Sequence, residues 1–109
     1  GIQQRDFLYI DDAIDSILKC IQAKNIKGEI FNIGSGKPKK IKKIVYLINK
    51  KIKLGKPLFG KIMMRKDEIN NLYPNIFKAK QKINWSPKIK FNEGIIETIK
   101  YYKKYFKNN

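Results

Sequence analysis

Four stretches of this sequence repeat their apolar residues at helical spacing, and short apolar runs punctuated by glycine and proline lie between them. That switching of hydrophobic period restricts the chain to layered folds in which helices pack on a small sheet. Ile14, Ile17, Leu18 and Ile21 follow the i, i+3, i+4, i+7 rule, so a helix is predicted to run to about Lys24. Asp11 and Asp12 offer it an N-cap and a negative first turn. Ile41, Ile44, Val45, Ile48 and Ile52 form the stripe of a second helix over 40–53. Ile76, Ala79, Lys80 and Ile83 predict a short third helix, halted at Asn84-Trp85-Ser86-Pro87. Asn92 is expected to cap a fourth that carries Ile95, Ile99, Tyr102 and Phe106. Residues 7–10, 29–33 and 57–64 read as strands, and 65–74 as polar and irregular. The predicted order is β-α-β-α-β-α-α, an α/β (α+β) lobe with a small mixed sheet, forming one domain over 1–109.

Charge decides which partners to consider. The net charge is +16 and it is lopsided: residues 1–36 carry four cations and five anions, whereas 37–109 carry 21 cations and four anions. Such an excess invites a nucleic-acid reading. Yet only Arg5 and Arg65 are arginine among 25 cations, and base readout leans on arginine's bidentate fork. A solvated lysine surface is the preferred reading, with a small basic nucleic-acid-binding module as the alternative and no specific nucleic-acid partner expected.

Several chemistries drop out. With no histidine and a single cysteine, Cys20, no Cys/His zinc pattern and no internal disulfide can be drawn. Cys20 lies on an apolar helical stretch and reads as a buried thiol. The first residues, Gly1 to Asp6, lack signal-peptide character, and no apolar run approaches the roughly 20 residues of a membrane span. A cytoplasmic protein without a membrane partner is expected. Gly34-Ser35-Gly36 sits between a strand and a helix, but Lys39 occupies the third glycine slot of a dinucleotide fingerprint. Tyr46 and Lys50 have Tyr-x-x-x-Lys spacing, but the stripe of Ile44, Val45 and Ile48 turns both to the flank. No catalytic, cofactor-binding or metal residue is assigned.

Five segments in order resemble the C-terminal half of the extended short-chain dehydrogenase/reductase family, the NAD-dependent nucleotide-sugar epimerases and dehydratases. They are Gln4-Arg5-Asp6-Phe7-Leu8-Tyr9-Ile10-Asp11-Asp12, then Gly28-Glu29-Ile30-Phe31-Asn32-Ile33-Gly34-Ser35-Gly36, then Arg65-Lys66-Asp67-Glu68. Lys78-Ala79-Lys80 through Ile83-Asn84-Trp85-Ser86-Pro87 and the closing Glu93-Gly94-Ile95-Ile96-Glu97-Thr98-Ile99 complete the set. The resemblance implies a lobe that binds a nucleotide-diphosphate sugar. The N-terminal Rossmann domain, which would carry NAD or NADP and the catalytic tyrosine–lysine pair, lies outside this chain. In the full-length enzyme, a homodimer, the lobe would position the substrate for C4 oxidation, while this chain alone would be inactive and bind no cofactor. A degenerate lobe kept as a folding or dimer partner is a further possibility.

By the same resemblance Arg5 and Arg65 would grip the diphosphate and Asn32 would hydrogen-bond the nucleotide-sugar. The residue types agree, because a planar guanidinium fork matches phosphate oxygens bidentately. The bland reading pairs Arg5 with Asp6 or Asp11, and Arg65 with Glu68. Asp12 is expected as a helix cap, Trp85 as a core anchor, and Gly34 and Gly36 as a turn of positive φ. Two positions depart from the family pattern, each with a residue where glycine is usual: Asp67, whose carboxylate would sit beside the diphosphate, and Asn84, which tolerates the left-handed conformation.

Overall fold

The structure, a computed structural model, describes residues 1–107. Its elements are β1 (Gln4–Arg5), α1 (Ile10–Gln22), β2 (Lys39–Lys40), α2 (Ile41–Ile52), β3 (Asn71–Leu72), α3 (Phe77–Lys82) and α4 (Phe91–Lys107). The predicted order of strands and helices is reproduced and the helices fall where their periodicity placed them. The three strands do not. β1 is the middle of a mixed sheet, antiparallel to β2 (Gln4 opposite Lys40) and parallel to β3 (Gln4 opposite Asn71).

Each predicted strand fails for its own reason. In 7–10, Leu8 turns onto the core while Ile10 already opens α1. Residues 29–33 keep the alternation of a strand, with Phe31 and Ile33 packed on the core and Ile30 and Asn32 exposed. Among the described residues, however, no strand lies beside them to complete a ladder. Lys78 Nζ instead donates to Ile30 O at 2.9 Å. Residues 57–64 carry the most exposed apolar side chains of the lobe, Ile62 and Met63, about Gly60 at φ +75.

The core is Ile76, Ala79, Ile83 and Trp85, with Leu8, Cys20, Ile26, Phe31 and Ile33 packed around it. Trp85 is the anchor expected of it: it is buried, and its Nε1 donates to Asp12 O at 3.0 Å. Asn84, at φ 50, makes the left-handed turn that aims the indole inward. Cys20 is half-buried against this cluster rather than enclosed by it.

Helix α1 is amphipathic as predicted but faces the other way. Asp12 and Ser16 are its buried residues, while Ile14, Ile17, Leu18 and Ile21 lie exposed. Asp12 is also not the expected cap; Tyr9 occupies that position, without a side-chain cap bond. The Asp12 carboxylate accepts instead from the backbone N–H groups of Lys88 and Ile89, at 3.0 and 2.9 Å. It fastens α1 to the turn that leads into α4. Helix α4 docks through its first turns, where Gly94 lies against the Tyr9 ring, and its last turns leave Tyr101, Tyr102 and Phe106 exposed.

The two glycines of the 34–36 turn differ. Gly36 takes φ +68 as expected, but Gly34 does not. Gly34 is required because Pro74 lies against its backbone, where a Cβ would overlap Pro74 Cγ. Gly34→Ala is therefore expected to destabilise the fold by about 1–3 kcal/mol, the usual range for overpacking. Urea unfolding checks it, and an unchanged midpoint would mean that Pro74 moves away freely.

Glu29 joins the 29–33 segment to α3. Its carboxylate pairs with Lys78 at 2.6 Å and Lys82 at 2.5 Å. The Lys78 contact, then that of Lys82, lowers its pKa from 4.5 to about 2. A depressed carboxylate pKa means that this tie is fully present above about pH 4.5 and is lost as the pH falls toward 2. The Glu29 carboxyl shift followed by NMR should titrate near 2; a midpoint at its ordinary value would show that the two lysines do not hold it.

Candidate functional site

Position 5 lies on the central strand, and its side chain reaches across to the segment preceding β3. Arg5 Nη1 donates to Gln4 O and to Ile69 O, both at 2.8 Å, and Nη2 donates to the Glu68 carboxylate. The backbone closes the same turn, with Glu68 N donating to Arg65 O at 3.2 Å. Arg65 thus opens the turn that Arg5 holds shut. The ladder continues the link, since Arg5 is paired with Leu72 of β3. Sixty positions of sequence are closed by one guanidinium and a two-residue parallel pairing.

The next residue does the same for a different loop. Asp6 accepts from Ser35 N at 2.7 Å and from Gly36 N at 2.6 Å, one bond to each carboxylate oxygen. Turns that present successive N–H groups suit an anion, and here the chain supplies its own. Asn32 is two residues upstream of the Gly34–Gly36 turn that Asp6 pins, with an exposed side chain. Arg5 and Asp6, adjacent on the chain, therefore fasten the two segments that carry Arg65 and Asn32.

The three residues assigned from sequence are linked only through the segments that Arg5 and Asp6 fasten, not by contact. Arg5, Asn32 and Arg65 make no hydrogen bond to one another; the Arg5 head is engaged by Glu68, and Arg65 is exposed with no ion pair among the described residues. The bland pairing of Arg5 with Asp6 or Asp11 is not what forms, nor does Arg65 take Glu68. Of the two readings made from sequence, the less favoured one put Glu68 with the wrong arginine, and neither found the part of Asp6. The signal for Asp6 was its place in the Arg-Asp-aromatic segment, which reading by charge alone treats as a local pair. Tyr46 and Lys50 lie on the flank as expected, with Tyr46 packed on Phe59 at 5.1 Å between centroids. No group of potential metal ligands occurs among the described residues.

A small mixed sheet with four helices, in which Arg5 of the central strand holds one loop and Asp6, just past it, holds another, defines a lobe of the extended short-chain dehydrogenase/reductase type. The chain belongs to the GDP-mannose 4,6 dehydratase family, whose sequence model matches residues 1–98. It is 33% identical over 105 residues to a UDP-glucuronate 4-epimerase of Thermodesulfobacterium geofontis, covering 94% of this chain and 31% of the relative. Against the dTDP-D-glucose 4,6-dehydratase of Homo sapiens it is 31% identical, covering 99% of this chain and 32% of that one. Among solved structures it superposes on the UDP-glucose 4-epimerase of Thermotoga maritima with UDP-glucose at a TM-score of 0.85, with 28% identity. That match covers 97% of this chain and 33% of the other. The UDP-glucuronic acid 4-epimerase of Bacillus cereus, solved with NAD, gives 0.79 at 30% identity, covering 100% and 33%. The chain spans about a third of the length of the relatives it matches.

Proposed function

We propose that this chain is the nucleotide-sugar-binding lobe of an NAD(P)-dependent epimerase or 4,6-dehydratase, in which Arg5 and Arg65 hold the diphosphate and Asn32 the same ligand. The observation that carries this reading is the docking of the Arg5 guanidinium onto the turn that begins at Arg65. Both arginines thus border the same turn, in a chain whose other cations are all lysine. Three of the five N–H donors of Arg5 are used within the lobe, which leaves two for a phosphate. The Glu68 and Ile69 acceptors fix the plane of the fork before ligand arrives, so less ordering is needed on binding.

On this reading the cofactor and the catalytic tyrosine–lysine pair belong to an N-terminal dinucleotide-binding domain beyond this chain. When bound there, NAD(P) would accept and return hydride at the sugar C4. The residues of this lobe bind and orient: they fix the diphosphate so that the hexose presents one carbon to the nicotinamide. The enzyme is proposed to work as a cytoplasmic homodimer; no described helix is long and apolar enough to cross a membrane. The nucleic-acid alternative gains no support from the family to which the chain belongs.

Titration of UDP-glucose into the full-length protein tests the clamp. Arg65→Lys keeps the charge but loses the fork, and should weaken binding by about tenfold or more. Lys50→Gln, on a flank of α2, should change it little. Equal losses from the two variants would sink the clamp. For the 109-residue chain alone, calorimetry with NAD should show no binding, and a micromolar isotherm would overturn the division of labour.

A further inference from the structure

A different face of the lobe carries charge that the nucleotide-sugar reading does not use. A groove of about 530 Å³ runs between the 35–39 segment and the start of α4, lined by Lys37, Lys39, Lys88 and Lys90 over the rings of Phe7 and Phe91. Phe7 and Phe91 meet edge to face at 6.1 Å, and Lys39 Nζ stands 4.9 Å above the Phe91 ring. A second groove shares Lys39, Phe91 and Asn92 and adds Lys40 and Lys43. The two adjoin through these shared residues as a basic channel, with Phe91 lining both.

Almost nothing in the lobe neutralises this channel. Among the described residues Glu93 is the one carboxylate lining it, and that group already accepts from Lys90 N at 3.2 Å. Lys88 has a long contact to Asp15 at 3.8 Å, while Lys37, Lys39, Lys40, Lys43 and Lys90 have no ion pair among the described residues. By contrast, Lys78 and Lys82 share a carboxylate and Lys100 has Glu97. Like charges crowded without counter-ions oppose the compact state, and an anion that bridges them removes that opposition. Neither Arg5 nor Arg65 lines the channel. Gln4 lines it, whereas Arg5, the next residue of β1, reaches the 65–69 turn beside β3.

We infer that this channel is a second anion site, and that it takes a compact polyphosphate free in solution. Lysine serves phosphate as a point charge without demanding one geometry, which suits an anion with several equivalent oxygens. The groove is lined by Lys37, Lys39, Lys88 and Lys90, so a small multivalent anion seated in it can be met by more than one ammonium group. A lipid bilayer offers the same phosphates on a flat surface and would reach only the rim.

The test uses inorganic tripolyphosphate as the probe on the whole chain, read by calorimetry and thermal melting. In the variant Lys37→Gln/Lys39→Gln/Lys90→Gln, affinity should fall by about tenfold or more, since several exposed charge contacts are lost together. The charge-matched control Lys50→Gln/Lys51→Gln/Lys53→Gln, at the far end of α2, should lose less than about twofold, because only screened long-range attraction is removed. The Tm rise on adding tripolyphosphate should shrink in the first variant and persist in the second. Unchanged far-UV circular dichroism identifies folded variants; if the groove variant unfolds, Lys37→Gln/Lys90→Gln, which spares β2, replaces it with the same expected ranking. Equal losses in groove and control variants would mean a diffuse basic surface and overturn the site. Groove-dependent binding to phosphatidylglycerol vesicles without groove-dependent tripolyphosphate binding would overturn the free-anion assignment. The arginine clamp can fail its own test without touching either outcome.

Discussion

Trp85→Ala is expected to remove about 3–5 kcal/mol of stability, the range for deleting a buried aromatic side chain. For a domain of this size that is a large share of the total. Trp85 is 1% exposed and is the one fully buried large side chain among the described residues. Truncation would leave a cavity amid Ile76, Ala79 and Ile83 that three short side chains cannot close. It would also remove the bond that the indole N–H donates to Asp12 O. Trp85→Phe separates the two effects. It keeps most of the ring and loses the bond, so a smaller loss of about 1–2 kcal/mol is expected. Urea unfolding reads both. A loss below 1 kcal/mol for the alanine variant would show that the lobe does not depend on this cluster.

The helices were legible in the sequence because their information is local. The spacing of Ile41, Ile44, Val45 and Ile48 depends on nothing outside α2, and Asn84 announces its own left-handed turn. Strands are different, since an extended segment becomes a strand only when another segment lies beside it. Residues 29–33 have the alternation and lack the neighbour; Gln4–Arg5, Lys39–Lys40 and Asn71–Leu72 have little pattern and find one another. Their pairing rests on contacts distant in sequence. The Arg5 guanidinium on Ile69 O and the Asp6 carboxylate on the 35–36 turn are two of them, beside backbone bonds such as Gln4 N to Asn70 O and Ile41 N to Gln3 O. The candidate site was legible as a set of residues only through the family resemblance, and its wiring was not. Charge alone cannot say that Arg5 takes Glu68 from a loop 63 positions away.

Polar groups, not apolar ones, decide which way α1 faces. Burying Asp12 satisfies two backbone N–H groups of the 88–89 turn with one carboxylate, and leaving them unsatisfied would cost more than exposing an isoleucine. The helix therefore turns Asp12 and Ser16 inward and Ile14, Ile17 and Ile21 outward. An apolar stripe on a helix that is fixed by its polar face implies a second covering surface. On the proposed reading that surface is the dinucleotide-binding domain.

This makes Ile17→Lys a substitution with two opposite expected results. In the 109-residue chain alone Ile17 is 60% exposed, so lysine there should alter stability by no more than about 0.5 kcal/mol, as at ordinary surface sites. It should also suppress self-association, because a charge at the middle of the stripe is poorly tolerated in an apolar contact between copies. In the full-length protein the same lysine would be forced beneath the covering domain with no carboxylate opposite it. There the expected loss is about 3 kcal/mol or more, the magnitude associated with an unpaired buried charge. Ser16 supplies the control from the inward face: Ser16→Lys should unfold the isolated lobe, since Ser16 is 4% exposed. Chemical unfolding of both lengths and sedimentation of the short one distinguish the cases. If Ile17→Lys is equally harmless in both, α1 is not the face by which this lobe meets the rest of its protein.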